Sequence, residues 1–323
     1  MSVIILDGKI VRDQIAKNLK LKIENLKLKP KLNIIQVGDN SQSNTYIGQK
    51  IKFGEKIGAI VELKKFPADI SQQSLTSQIS TLNSDNSVNG IIIQLPIPNQ
   101  LDKDELIELI DPKKDVDGLT STNQKLLEEG KIDYSSFLTR HPRESEDQIL
   151  DQVENDTTII PATAKGVITI LNYYKIPIKD KKVTVVGRSK LVGAPVATLF
   201  RNLGAEVTAC HSQTLDLKAE TKNADIIVVA VGKPNLIGKE HVSPGQVIVD
   251  VGINVLDDRL STIDYSQNNS ESHQASRKLV GDVDFGQVVK IVKAITPVPG
   301  GVGPMTVASL FENLLETYKK QNA

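Results

Sequence analysis

The sequence holds one cysteine, Cys210, among 323 residues. One thiol excludes an intrachain disulfide and fits a reducing compartment, so the chain is expected to be cytoplasmic, with Cys210 a small buried residue at a strand end. Net charge is missing too: 39 Lys and Arg stand against 39 Asp and Glu. That balance removes broad electrostatic attraction to nucleic acid or to an anionic membrane and turns the expectation toward small-molecule chemistry. Long apolar runs are absent. The opening MSVIILDGKIVRDQIAKNLK has only a few consecutive apolar residues before Asp7, and no stretch approaches the ~20 needed to span a bilayer. There is no internal repeat and no phosphate loop of the G-x-x-x-x-G-K-S/T type. A calcium loop fails as well, because with Gly118 as its sixth position the first would be Lys113 and the twelfth Gln124. No metal site is expected.

What is present is an alternation of apolar runs and helical patterns, the signature of a parallel sheet covered by helices on both faces. KLNIIQVG (31–38) and GIIIQLP (90–96) read as buried strands. KVTVVG (182–187), AEVTAC (205–210), ADIIVVAVG (224–232) and QVIVDVG (246–252) form a second compact series. The expected fold class is α/β with two domains: 1–160, then 161–295, with 296–323 and its amphipathic helix VASLFENLLETY returning to the first. A polar stretch from about Leu127 to Thr158 reads as an insertion, and SQNNSESHQASRK (266–278) as a surface loop.

Within SNTYIGQKIKFGEKIG, positions Tyr46, Lys50, Phe53 and Ile57 follow helical spacing, with Ile47, Ile51 and Gly54 on the adjoining row. Lys50 is the odd member of a stripe meant for burial. It either runs its methylenes along apolar surface to reach water, or lines a cleft where desolvation lowers its pKa and makes it usable as a base. Gln94, toward the carboxyl end of GIIIQLP, lies where open α/β sheets place ligand crevices and either bonds backbone or holds the Lys50 ammonium. Asp115 and Asp117 share the glycine turn of KKDVDGLT, and ITPVPGGVGPMT combines stiff prolines with glycines that admit a flat ligand close to the backbone.

VVGRSKLVGAP has the strand, glycine turn and helix order of a dinucleotide site, although Gly187 and Gly193 do not match G-x-G-x-x-G. An NAD site usually carries an acidic residue about 20 residues beyond its glycines. Here AEVTACHSQT ends in His211, Ser212 and Thr214 instead, while Arg188 follows the first glycine, so a 2′-phosphate and NADP are favoured. His211 reads as a hydrogen-bonded loop residue.

Taken together and in order, SNTYIGQKIKFGEKIG, GIIIQLPIP, DPKKDVDGL, VVGRSKLVGAP, VTACHSQT, DVGIN, LVGDVDF and ITPVPGGVGPMT resemble the bifunctional methylenetetrahydrofolate dehydrogenase/methenyltetrahydrofolate cyclohydrolase family. The resemblance implies an N-terminal folate domain, a C-terminal Rossmann-type NADP domain, a homodimer and tetrahydrofolate derivatives as substrates. It makes Lys50 the cyclohydrolase lysine, Tyr46 the residue packing on the folate rings, Gln94 the partner of the lysine and Asp117 the pterin anchor. Further folate contacts are implied for Ile93, Leu95, Pro299, Gly300, Gly301, Val302 and Gly303, and NADP contacts for Gly187, Arg188, Ser189, Ser212 and Ile253. PATAKG (161–166) departs from the family's usual PCTPxG, without removing a residue of assigned chemical role, and the polar stretch before it is long. Competing readings are a dehydrogenase of amino or hydroxy acids with the same architecture, and a non-catalytic folate- or NADP-binding protein.

Overall fold

The computed structural model describes residues 3–130, 159–257 and 277–322. The two apolar runs of the first half become β2 (Lys31–Val37) and β4 (Gly90–Ile93) of a three-stranded parallel sheet that the charged edge strand β3 (Ile60–Phe66) completes, with β2 in the centre. β2 is apolar almost throughout because both its faces are covered. Leu32 and Ile34 pack with Val11 and Ile15 of helix α1 (Gly8–Glu24) and Ile47, Phe53 and Ile57 of α2 (Ser41–Ile57). Ile35 and Val37 face the other way, onto Leu75 and Ile79 of α3 (Gln72–Ser84) and Leu106 of α4 (Lys103–Glu108). The side chain of Asn40 starts α2 by accepting from the Gln42 and Ser43 amides, two of the donors a helix start leaves unpaired.

The second series forms β5 (Lys182–Val186), β6 (Glu206–Cys210), β7 (Ile226–Val229) and β8 (Val247–Asp250), matching the expected strands closely. Two strands of only two residues each, β1 (Ile4–Ile5) and β11 (Ala294–Ile295), extend this sheet to six in the order β1-β11-β8-β7-β5-β6. The chain thus begins in the sheet of the second half, although the sequence assigns residues 1–160 to the first; the short VII run pairs with β11 rather than with β2. β5 has β6 on one side and β7 on the other, and crevices for ligands open where the order reverses in this way. A two-stranded antiparallel ribbon, β9 (Asn254–Asp257) with β10 (Arg277–Val280), stands apart.

Between the sheets lie α6 (Ala162–Tyr173) and the final helix α10 (Val302–Gln321), which pack on one another, with α1 against α10. Phe311 of α10 is fully buried and its ring meets that of Phe53 at 5.2 Å, so the last helix returns to α2 and α1 as expected. Truncating Phe311 to Ala would cost about 3–5 kcal/mol. α10 begins earlier than VASLFENLLETY, inside the Pro-Gly run: Pro304 stands in its first turn, where a missing N–H costs nothing. The remaining short helices are α5 (Ser121–Glu128) after the KKDVDGLT turn, α7 (Gly193–Asn202) after β5, α8 (Leu217–Lys222) and α9 (Phe285–Val288). The polar stretch beyond residue 130 and nearly all of 266–278 lie outside the described residues, and among those described no helix is long and apolar enough to cross a membrane.

Candidate active site

α2 carries the stripe predicted from its spacing. Phe53 and Ile57 are buried in the core, whereas Tyr46 and Lys50, two turns and one turn earlier, are half-buried where the helix leaves it. The Lys50 ammonium donates to Gln94 Oε1 at 2.9 Å, and the Gln94 amide nitrogen donates to the Leu95 carbonyl at 2.8 Å, which fixes which end of the amide faces the lysine. Burial draws Lys50 below the ordinary lysine range, and the Asp117 carboxylate opposes that shift. Asp117 is raised by its own burial, drawn back by Lys50 and raised further by neighbouring Asp115. Each is held closer to neutrality than in water.

Lys50, Ile93, Gln94, Leu95 and Asp117 line one cavity of about 150 Å³. Leu119, Pro161, Ala162, Thr163, Leu191 and Val192 complete its lining. In the sequence, PATAKG departs from the family pattern without touching a residue of assigned chemical role; in the structure its first three residues line the same cavity as Lys50. Their signal in the sequence is the apolar run Ile159–Pro161 closing on Asp117, whose carbonyl accepts from the Ala162 amide at 3.1 Å. Asp115 turns away from the cavity. Its carboxylate accepts from the Gly118 and Thr120 amides at 2.9 and 2.8 Å and from Asn123 at 3.0 Å, and so fixes the turn that presents Asp117.

Tyr46 lines a larger cavity of about 520 Å³, with Pro299, Gly300, Gly301, Val302 and Gly303 along one side and Ile253, Asp250 and Lys9 nearby. The predicted folate contacts therefore divide between two cavities one helical turn apart. The phenol of Tyr46 is pushed up by burial and stays protonated at neutral pH. Ile253, expected at the nucleotide, sits within reach of Gly303, so the chain end of one half meets the β8 loop of the other.

At the reversal of the second sheet, β5 gives way to Gly187, whose amide donates to the Cys210 carbonyl at 2.9 Å. Its φ is +120°, and a Cβ there would run into the Ala230 carbonyl beyond β7; one on Gly193 would strike the Gly187 carbonyl. Only glycines allow this close approach. α7 starts at Gly193 with no side-chain cap, although Ser189 Oγ accepts long bonds from Val192 and Gly193 at 3.3 and 3.4 Å. A narrow glycine turn running into a helix start is a cradle for phosphate, so the residues fit a dinucleotide. Arg188, Ser189 and Ser212 are exposed around it. His211 is tied into its loop, its amide donating to Thr214 Oγ1 and its Nδ1 accepting from Gln213. Cys210 is buried, and burial pushes its thiol up.

A further device escapes the sequence. Asp250 and Asp282, both buried, latch three loops together: Asp250 accepts from the amides of Gly252, Asp282 and Val283 at 2.9–3.0 Å. Asp282 accepts from the amides of Val231 and Gly232 at 2.7 and 2.8 Å and from Asn254 at 2.9 Å. Burial pushes Asp250 up to about 7.

Residues 6–117 match the catalytic domain of tetrahydrofolate dehydrogenase/cyclohydrolase, and residues 161–322 match the NAD(P)-binding domain of the same family. The chain is similar to the bifunctional protein FolD of Lactobacillus acidophilus, with 41% identity covering 98% of each. Among solved structures it is similar to the bifunctional methylenetetrahydrofolate dehydrogenase/cyclohydrolase FolD of Campylobacter jejuni (37% identity, TM-score 0.82, 99% of each chain). The methylenetetrahydrofolate dehydrogenase-cyclohydrolase of Trypanosoma brucei, solved with NADP cofactor and an inhibitor, is similar at 30% identity and TM-score 0.83, over 99% of this chain and 98% of that one.

Proposed function

This chain belongs to the tetrahydrofolate dehydrogenase/cyclohydrolase family, and from that premise we propose how its residues divide two reactions. It oxidises 5,10-methylenetetrahydrofolate to the methenyl cation with NADP, and hydrolyses that cation to 10-formyltetrahydrofolate. The amino- or hydroxy-acid dehydrogenase and the non-catalytic binder leave the Lys50, Gln94 and Asp117 cavity without a task.

NADP, when bound, supplies the acceptor for the hydride. The chain's part in that step is positioning: Gly187, Ser189 and the start of α7 would hold the phosphates, Arg188 and Ser212 would read the 2′-phosphate, and Ile253 would contact the nucleotide. The substrate's own nitrogen lone pair stabilises the cation, so oxidation asks for no protein acid or base.

Hydrolysis does ask for one. With its amine neutral, Lys50 removes a proton from the water that adds to the methenyl carbon. The resulting ammonium returns that proton to N5 as the C–N5 bond breaks, and the carbon becomes the N10 formyl group with net release of one proton. Gln94 holds the amine in place and Asp117 anchors the pterin edge. Tyr46 stacks on the flat part of the ligand, with Ile93 and Leu95 flanking it and Pro299 to Gly303 forming the opposite wall. The observation that carries this reading is the Lys50 amine, drawn toward neutrality by burial and hydrogen-bonded to Gln94 in a cavity shared with Asp117.

Lys50→Met tests it. Cyclohydrolase turnover should fall by about 10²–10⁴-fold, the range of a lost general base, while folate binding and part of the hydride transfer persist. Hydrolysis at the original rate in that variant would remove the base from the mechanism. We also propose that the enzyme works as a homodimer in the cytoplasm, the latter supported by its lone buried thiol, and that its formylated product feeds one-carbon steps such as those of purine biosynthesis.

A further inference from the structure

Asn313 of α10 is fully buried and lines neither cavity. Its amide nitrogen donates to two carbonyls, Val116 at 2.9 Å and Ile160 at 2.9 Å. These residues immediately precede Asp117 and Pro161, which both line the Lys50 cavity and whose segments touch, the Ala162 amide donating to the Asp117 carbonyl at 3.1 Å. Both amide hydrogens are therefore used to hold two backbone segments at a fixed separation.

The amide is kept in this orientation by a charge. Lys165 of α6, 2% exposed, donates to Asn313 Oδ1 at 2.9 Å and to Glu316 Oε1 at 2.8 Å. Turning the amide over would set its hydrogens against an ammonium and its oxygen against two carbonyl oxygens. A buried cation is costly to keep unless it is paired and hydrogen-bonded, and an apolar residue of similar size would pack here at less cost. Neither Lys165 nor Asn313 lines the cavity.

We propose that Asn313, oriented by Lys165, is a positioning residue for hydrolysis: together with the Ala162–Asp117 backbone bond it fixes how the Asp117 turn and the Pro161–Thr163 segment lie against each other at the Lys50 cavity. The proposal rests on Lys50, Gln94 and Asp117 forming the hydrolytic site. The nucleotide cradle, built from β5, β7 and α7, shares none of these bonds.

The test uses the purified full chain. Asn313→Asp keeps an oxygen for Lys165 but sets a second oxygen against the carbonyls of Val116 and Ile160. Lys165→Met releases the amide, and Lys165→Arg retains a donor. Cyclohydrolase kcat/KM should fall roughly tenfold to a hundredfold in Asn313→Asp, the scale of an ångström-sized misplacement, with the KM for NADP within about twofold of wild type. Lys165→Met should follow it, and Lys165→Arg should recover most of the loss. A lowered melting temperature with unchanged kcat/KM, or an equal loss of both activities, would reduce the pair to a plain structural contact. If Asn313→Asp folds too poorly to assay, the Lys165→Met and Lys165→Arg pair decides by the same criterion. Lys50→Met, run alongside, separates the two levels: hydrolysis surviving there overturns the site itself, whereas hydrolysis lost there but intact in Asn313→Asp overturns only the positioning role.

Discussion

Lys50 and Asp117 pull one another's protonation in opposite senses to their burial. Removal from water lowers the amine and raises the acid, and each charge partly restores the other. The protonation of the amine therefore follows first from its burial and then from the carboxylate with which it shares the cavity.

Asp117→Asn removes the group that raises Lys50. The amine should then lose its proton at lower pH, so the rising limb of the cyclohydrolase pH profile moves toward acid even though substrate binding weakens. A limb that stays in place, or moves toward alkali, would show that Asp117 does not act on the base. Single-turnover rates across pH provide the measurement.

Arg188→Ala should weaken NADP by roughly tenfold to a hundredfold, the worth of a charge-assisted phosphate contact, while NAD is hardly affected. Equal losses for the two nucleotides would show that Arg188 does not read the 2′-phosphate.

Gly187→Ala places a Cβ against the Ala230 carbonyl at a φ of +120°. About 1–3 kcal/mol of strain is expected, together with a narrowed cradle, so the melting temperature and NADP affinity should fall while folate binding holds. Thermal unfolding with and without NADP measures both.

Asp250 links stability to pH. Its folded pKa of about 7 lies above that of a free carboxyl, so the protonated form is favoured by folding. The stability this contributes is full below the unfolded value near 4 and is lost as pH rises through about 7. Between pH 5 and 8 the wild type should lose more of its melting temperature than Asp250→Asn does. Parallel curves would indicate that Asp250 stays ionised throughout.

Much of this was legible in the residues. Continuous apolar runs located β2, β4, β5, β7 and β8 because buried parallel strands have no polar face to interrupt them, whereas β6, a largely exposed edge strand, is found by its place in the series. Lys50 announced itself by standing on a stripe with Phe53 and Ile57. β3 did not: as an edge strand carrying Glu62, Lys64 and Lys65 it shows no apolar run. β1 and β11 are two residues long, too short for any period to register. Asn313, Lys165 and the Asp250–Asp282 latch are single polar letters whose partners lie far away in the chain, and only folding brings them together. That Tyr46 and Lys50 line different cavities is a matter of packing rather than local pattern.

The placement of β1 has a practical consequence for anyone dissecting the molecule. A piece made of residues 1–160 would carry a strand whose neighbour, β11, it lacks, and would miss the helix that covers Phe53. The complementary piece would expose the β11 edge and the greasy side of α10. Expressed separately, such pieces should be sticky and poorly soluble; expressed together, they hold the means to clasp each other without a covalent join.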